Sequence, residues 1–331
     1  MNVKRTRTVW MFLIMVLPSI LILACGGGGG GGGGTPPAPM NQQDAQQAEG
    51  VAMLAIELAD IANSYSGGNT ISEVNAALVQ SSGRPSNILS RYVNMAKSKI
   101  YQNNNAIRVS GSMSDTFSCS NGGSMSFNSS WSGPNNPNSC SEINNLDFTF
   151  TFNNCSESGS YIDGVLSFST TGNACSPSKI DMTFSNLILE SSSENISFIS
   201  NNLRFVISEI VFSGDILKHV KVLVNGDAEA TYQGDNYYVV YQNLSTETDS
   251  NDGVNLSINI GGSFTGGCLN GLVTLTTLEP ILMNIYNQCP TGGALKISGF
   301  DEITVRFYND GSLDIGNVHY GSCIGLAREC T

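Results

Sequence analysis

Phe148-Thr149-Phe150-Thr151-Phe152 decides the fold. Three phenylalanines at alternate positions share one face only in an extended chain, where successive side chains point to opposite sides, and the threonines between them make the other face polar. The pattern recurs outward along the chain. Ile180, Met182 and Phe184 alternate with Asp181 and Thr183, and Val254, Leu256, Ile258 and Ile260 repeat the same two-residue period. Such alternation is the mark of an antiparallel sheet with one wet face. The fold expected is mainly β: an antiparallel body, as a meander, half-barrel or sandwich, in one sheet or in two modules.

Turn residues set some of the pairings. Val220, Val222 and Val224 precede Asn225-Gly226, and Ala228, Ala230 and Tyr232 follow. A three-residue loop, Asn225-Gly226-Asp227, would pair valines with alanines and Val220 with Tyr232, keeping carboxylates off the apolar face. The turn at 233–236 would then return Tyr237, Val239 and Tyr241 to that face. Near the C-terminus, a loop at Asn309-Asp310-Gly311 sets Phe307 against Leu313, Val305 against Ile315 and Arg306 against Asp314, the last as an ion pair.

Ahead of Asn103-Asn104-Asn105 the period is helical. Val51, Ala55, Leu58 and Ala62 recur at helix spacing; Thr70-Ile71-Ser72-Glu73 has capping-box form; Ile88, Tyr92, Ala96 and Ile100 make one stripe. Five segments follow: a leader at 1–24, a tether at 25–40, a helical segment at 41–105, an Asn/Ser-rich β module at 106–214 and a second β module at 215–331.

The leader opens with Lys4, Arg5 and Arg7, continues as an apolar run from Val9 to Ala24, and ends at Ile22-Leu23-Ala24-Cys25. About 20 apolar residues span a bilayer, so this shorter run reads as a secretory signal. The four residues at its end resemble the lipobox of bacterial lipoproteins. The resemblance covers the first 25 residues and implies cleavage before Cys25, with acylation of that cysteine. Gly26, where inner-membrane retention would place Asp, implies an outer-membrane lipid anchor, on either face. Gly26 to Gly34 and the Pro-rich stretch after them cannot pack, and form a tether with a reach of about 20 Å.

The 331 residues are 40% apolar and 13% charged, with a net charge of −12. Loss of residues 1–24 removes Lys4, Arg5 and Arg7 and no acidic group, which takes the charge to −15. That composition is globular and excludes a nucleic-acid footprint, so the lipid must hold the membrane. Beyond Cys25, eight cysteines remain in an exported chain, and disulfides are their expected state. Proximity in sequence suggests Cys323–Cys330 and Cys268–Cys289. For Cys119, Cys140, Cys155 and Cys175, the favoured pairing is Cys119–Cys155 with Cys140–Cys175. Setting Met125 and Phe127 beside Phe150 and Phe148 puts Cys119 and Cys155 on opposite faces unless Gly122-Gly123 forms a bulge.

Candidate chemistry is sparse. His219 shares the polar face with Lys221, and a solvated strand histidine outweighs a general base. His319, Cys323 and Cys330 make a poor zinc set, short of a ligand. Ser176-Pro177-Ser178-Lys179 resembles the Ser-x-x-Lys element of penicillin-interacting enzymes but precedes a strand, where that element needs a helix. Asp249-Ser250-Asn251-Asp252-Gly253 has calcium-loop composition without a closing Glu, and reads as a turn. Tyr232, Tyr237 and Tyr241 are candidate ligand contacts, weighed against core packing. No catalytic residue, cofactor or metal is assigned. The function expected is noncatalytic: an envelope lipoprotein serving as a binding or structural module, with another envelope protein, a glycan or a lipid as partner. The alternative is a lipid or lipoprotein carrier with an apolar groove; an exported hydrolase is a third reading.

Overall fold

The computed structural model describes residues 110–323, less 134–141, 158, 174–175, 193–195, 214–215, 233–234, 267–270, 285, 288 and 300–301. The leader, Cys25, the tether and the helical segment at 41–105 lie outside the described residues, as do Cys140, Cys175, Cys268 and Cys330.

The described chain is mainly β. Its strands are β1 (Ser110–Ser118), β2 (Ser124–Ser132), β3 (Asn144–Glu157), β4 (Ser160–Asn173), β5 (Ser176–Ser191), β6 (Ile196–Ser213), β7 (Ile216–Tyr232), β8 (Asp235–Ser250), β9 (Asn255–Gly266), β10 (Val273–Asn284), β11 (Gly292–Ser298), β12 (Glu302–Phe307), β13 (Leu313–Ile315) and β14 (Val318–Tyr320). Strand order follows chain order from β1 to β14. The described residues fall into two compact units: one holds 110–209 with 228–232, the other 210–227 with 235–323.

In the first unit, β1 to β6 pair antiparallel with their chain neighbours. The phenylalanines of β3 are buried, as are Ile180, Met182 and Phe184 of β5. Met125 pairs with Phe152 and Phe127 with Phe150, one pleat period from the register expected. Cys119 and Cys155 are joined, with Cα atoms 5.4 Å apart. The bulge that brings them to one face lies in β3, where the ladder shifts between Phe152 and Cys155, and not at Gly122-Gly123, which form the turn between β1 and β2 with φ of 115° and 80°. Closing a loop across a sequence separation of 36 contributes about 3.8 kcal/mol by chain entropy.

In the second unit, β8 to β14 continue the same neighbour-to-neighbour pairing. Val305 pairs with Ile315, Arg306 with Asp314 and Phe307 with Leu313, as the turn arithmetic requires. Their side chains pair differently: Arg306 Nη1 bonds Glu279 at 2.9 Å, since Asp314 is engaged by Tyr308 and His319. The second disulfide is Cys289–Cys323, which replaces the expected Cys323–Cys330 and Cys268–Cys289. Proximity in sequence misled here. Cys323 N–H donates to the Gly311 carbonyl, so the chain after β14 folds back against the β12–β13 turn, where the Cys289 sulfur lies 3.9 Å from the position of a Cβ on Gly311.

The larger correction concerns Asn225-Gly226. β7 is one unbroken strand through both residues, and no hairpin forms there. Gly226 uses its φ of 111° for an irregularity within the strand, while Asn225 Oδ1 accepts a hydrogen bond from Asn243 N–H of β8 at 2.6 Å.

Irregularities of another kind recur in other long strands. The buried face changes parity across a polar pair at one such place in each of four long strands: between Phe152 and Cys155, Phe184 and Leu187, Ser200 and Leu203, and Tyr241 and Leu244. Each time two polar residues separate the buried ones, and the second is asparagine: Asn154, Asn186, Asn202 and Asn243. Asn154, Asn186 and Asn243 have φ of 49°, 47° and 51°, the left-handed conformation that asparagine tolerates better than other non-glycine residues. Register shifts mark the ladder at Asn154 and Asn243, so these are bulges. Opposite these three asparagines stand Gly123, just ahead of β2, Gly164 of β4 and Gly262 of β9.

Where ladders break, threonine hydroxyls replace backbone partners. Thr170 Oγ1 accepts from Leu146 N–H at 3.1 Å and donates to its carbonyl at 3.5 Å. Thr277 Oγ1 does the same for Ile260, at 2.6 and 3.0 Å, beside the interruption that admits Pro280 into β10. These bonds satisfy backbone groups that burial would otherwise leave unpaired.

Candidate functional site

Because β7 is continuous, its basic residues line up along β8. Lys218 donates to the Asn251 carbonyl, His219 Nδ1 lies 2.7 Å from Asp249 Oδ1, and Lys221 Nζ lies 3.9 Å from Glu247. Contacts at 219/249, 221/247 and 225/243 advance by two and then four residues in opposite directions, as antiparallel strands demand. His219 keeps 21% of its side-chain surface exposed and Asp249 54%. The expectation that His219 and Lys221 share a polar face is met. Their carboxylate partners escaped sequence reading, because the assumed hairpin turned Lys221 toward Glu229 and Thr231 of the same segment. The available signal was the complementary spacing of Lys218/His219/Lys221 and Glu247/Asp249.

A second cluster forms on β12 to β14. Asp314 Oδ2 accepts from the Tyr308 hydroxyl at 2.5 Å, and Oδ1 lies 2.7 Å from His319 Nδ1. The Tyr308 hydroxyl and then His319 hold the Asp314 carboxyl below its ordinary range, and the same hydrogen bond raises the Tyr308 phenol. His319 is 64% exposed, and Cys323 is spent on Cys289, so the zinc set of His319, Cys323 and Cys330 lacks its middle thiolate.

The calcium-loop composition also resolves into a turn. Asp252 Oδ1 accepts from the N–H groups of Val254 and Asn255 and Oδ2 from Asn255 Nδ2, which holds its pKa at about 2. Both oxygens thus brace the β8–β9 hairpin. The Ser-x-x-Lys stretch opens β5, a strand, and Lys179 bridges to Asp181 at 3.3 Å. Arg204 contacts the same carboxylate through two nitrogens and, with Lys179, keeps it below the usual carboxylate range.

Of the three tyrosines, Tyr241 is 4% exposed on the buried face of β8, so it is a core residue and not a ligand contact. Tyr232 and Tyr237 belong to β7 and β8, but their side chains lie outside the described ones. Burial lifts the Tyr241 phenol well above its ordinary range. An unfolded tyrosine ionises near pH 10 whereas the folded one resists, so this contribution is whole below about pH 10 and falls above it by up to ~1.4 kcal/mol per unit. Tyr241→Phe is expected to flatten that alkaline loss in urea unfolding followed from about pH 9 to 11. Equal losses in both proteins would remove Tyr241 as the cause.

Comparison with protein-family models, curated proteins and solved structures finds no match to this chain.

Proposed function

We propose that the protein is an outer-membrane lipoprotein whose β body acts without catalysis, as a binding or structural module carried on a flexible tether. The observation that carries this reading is Ile22-Leu23-Ala24-Cys25 at the end of a basic and apolar leader, followed at once by Gly26 to Gly34. Two further features support it. Four cysteines of the body are oxidised in pairs, which suits a compartment outside the reducing cytoplasm. The charge clusters of the second unit join one strand to the next, as in a surface built for rigidity.

Anchoring by lipid requires the thiol of Cys25 and no basic patch, in keeping with an acidic mature chain. In a diderm host, the full chain is expected to take up a fatty-acid label and sediment with the outer membrane. Cys25→Ser is expected to lose label and membrane association together. Label retained by Cys25→Ser would overturn the lipid assignment, and protease shaving of intact against lysed cells would then report which face carries the body. Lipid copurifying in stoichiometric amount with the unacylated variant would move the reading to a carrier.

A further inference from the structure

We propose that His219, Glu247 and Asp249 form a binding site for a divalent transition-metal ion, with Zn²⁺ as the reference ion. One ligand atom from each of the three lies within 4.8 Å of the other two. Their convergence follows from the pairing of β7 with β8: Asp249 stands across from His219, and Glu247 lies two residues back on the same face of β8. Strands fix this geometry better than loops do, because the ladder sets the spacing of the side chains.

The donor set favours a transition metal. One imidazole nitrogen and two carboxylate oxygens suit Zn²⁺ or Cu²⁺, whereas Ca²⁺ and Mg²⁺ take oxygen ligands. Metal–ligand bonds of about 2.0–2.2 Å put neighbouring ligand atoms roughly 3.3 Å apart in a tetrahedron. The His219 Nδ1 to Asp249 Oδ1 contact of 2.7 Å therefore opens by a few tenths of an ångström as the ion takes the place of the proton held between them. That movement needs only small side-chain rotations. Three protein ligands leave a fourth position for water, the arrangement of an open site.

The competing cation is Lys221, 3.9 Å from Glu247 and 39% exposed. Its long stem lets the ammonium swing into solvent when a doubly charged ion arrives. Lys218 does not compete, because its ammonium bonds the Asn251 carbonyl beyond Asp249. Bound metal would link β7 to β8 more firmly than the ion pairs it replaces, independently of how the body is anchored or what it binds.

The test is calorimetric titration of ZnCl₂ into the purified full chain, treated with chelator and free of affinity histidines. One saturable site per chain is expected. Since even outer-shell partners of a metal are worth about 10-fold, His219→Ala and Glu247→Gln should each weaken binding by at least that factor, while His319→Ala should match the parent. Glu247→Gln keeps the shape of the side chain, so it decides the matter if His219→Ala disturbs folding. No saturable heat in the parent chain, or the same isotherm in the parent and in Glu247→Gln, overturns the proposal. So does loss of binding in His319→Ala alone.

Discussion

Gly262→Ala is expected to destabilise the second unit by ~4 kcal/mol or more, while Gly261→Ala, one residue earlier, is expected to fall within about 0.5 kcal/mol of the parent. A Cβ on Gly262 would lie 2.1 Å from the Asn243 carbonyl oxygen and 2.6 Å from Leu244 Cα, all rigid backbone of the adjacent strand. The φ of 109° adds strain for any L side chain. A Cβ on Gly261 meets nothing nearer than the Ser245 hydroxyl at 3.6 Å, an ordinary contact. Asn243 cannot retreat, because its N–H is tied to Asn225 and Leu244 beside it is 2% exposed. Urea unfolding of the two variants checks the contrast; equal midpoints would show that the bulge yields.

Phe184→Ala is expected to cost ~3–5 kcal/mol, the range for emptying a buried aromatic site. Phe184 is wholly buried. Its ring meets Phe198 and Phe205 edge-on, with centroids 6.3 and 5.9 Å away. Leu166 and Leu203 flank it across the two neighbouring strands. Removal opens a void whose walls belong to three strands, which limits how far they can collapse. Phe184→Leu should recover most of the loss in the same unfolding measurement; an alanine variant as stable as the parent would show that the site closes.

Alternation made the strands legible because a two-residue period survives any loop length. The Asn309-Asp310-Gly311 hairpin was legible too, since three cross-strand pairs agree on one register. Asn225-Gly226 was not. Asparagine and glycine, the residues of a tight turn, also sit within a continuous strand, and only the partner strand tells which. The clue lay in Phe152-Asn153-Asn154-Cys155, Phe184-Ser185-Asn186-Leu187 and Tyr241-Gln242-Asn243-Leu244, where a polar pair interrupts the alternation within a continuing strand. Missing that clue hid the candidate site, since His219 finds Asp249 and Glu247 only if β7 runs on unbroken. Cys119–Cys155 could be reached from sequence because the pairing required a bulge, although the bulge falls at Asn153-Asn154 and not at Gly122-Gly123. Cys289–Cys323 could not, because it depends on how the chain returns after β14.

A strand order that never departs from chain order also shapes how the protein comes to fold. Each hydrogen-bonded ladder joins neighbours along the chain, so the sheet can grow by successive hairpins, without the long loop closures that slow other β proteins. A polypeptide emerging from a translocation pore amino end first could therefore add each strand as it appears. Cys155 would meet Cys119 once three strands are out, before the later cysteines arrive. Cys289–Cys323 closes near the opposite end of the described chain. Both crosslinks span similar, modest stretches, but Cys140 emerges before Cys155, so the ladder of β2 with β3, and not the order of emergence, guides Cys119 to its partner.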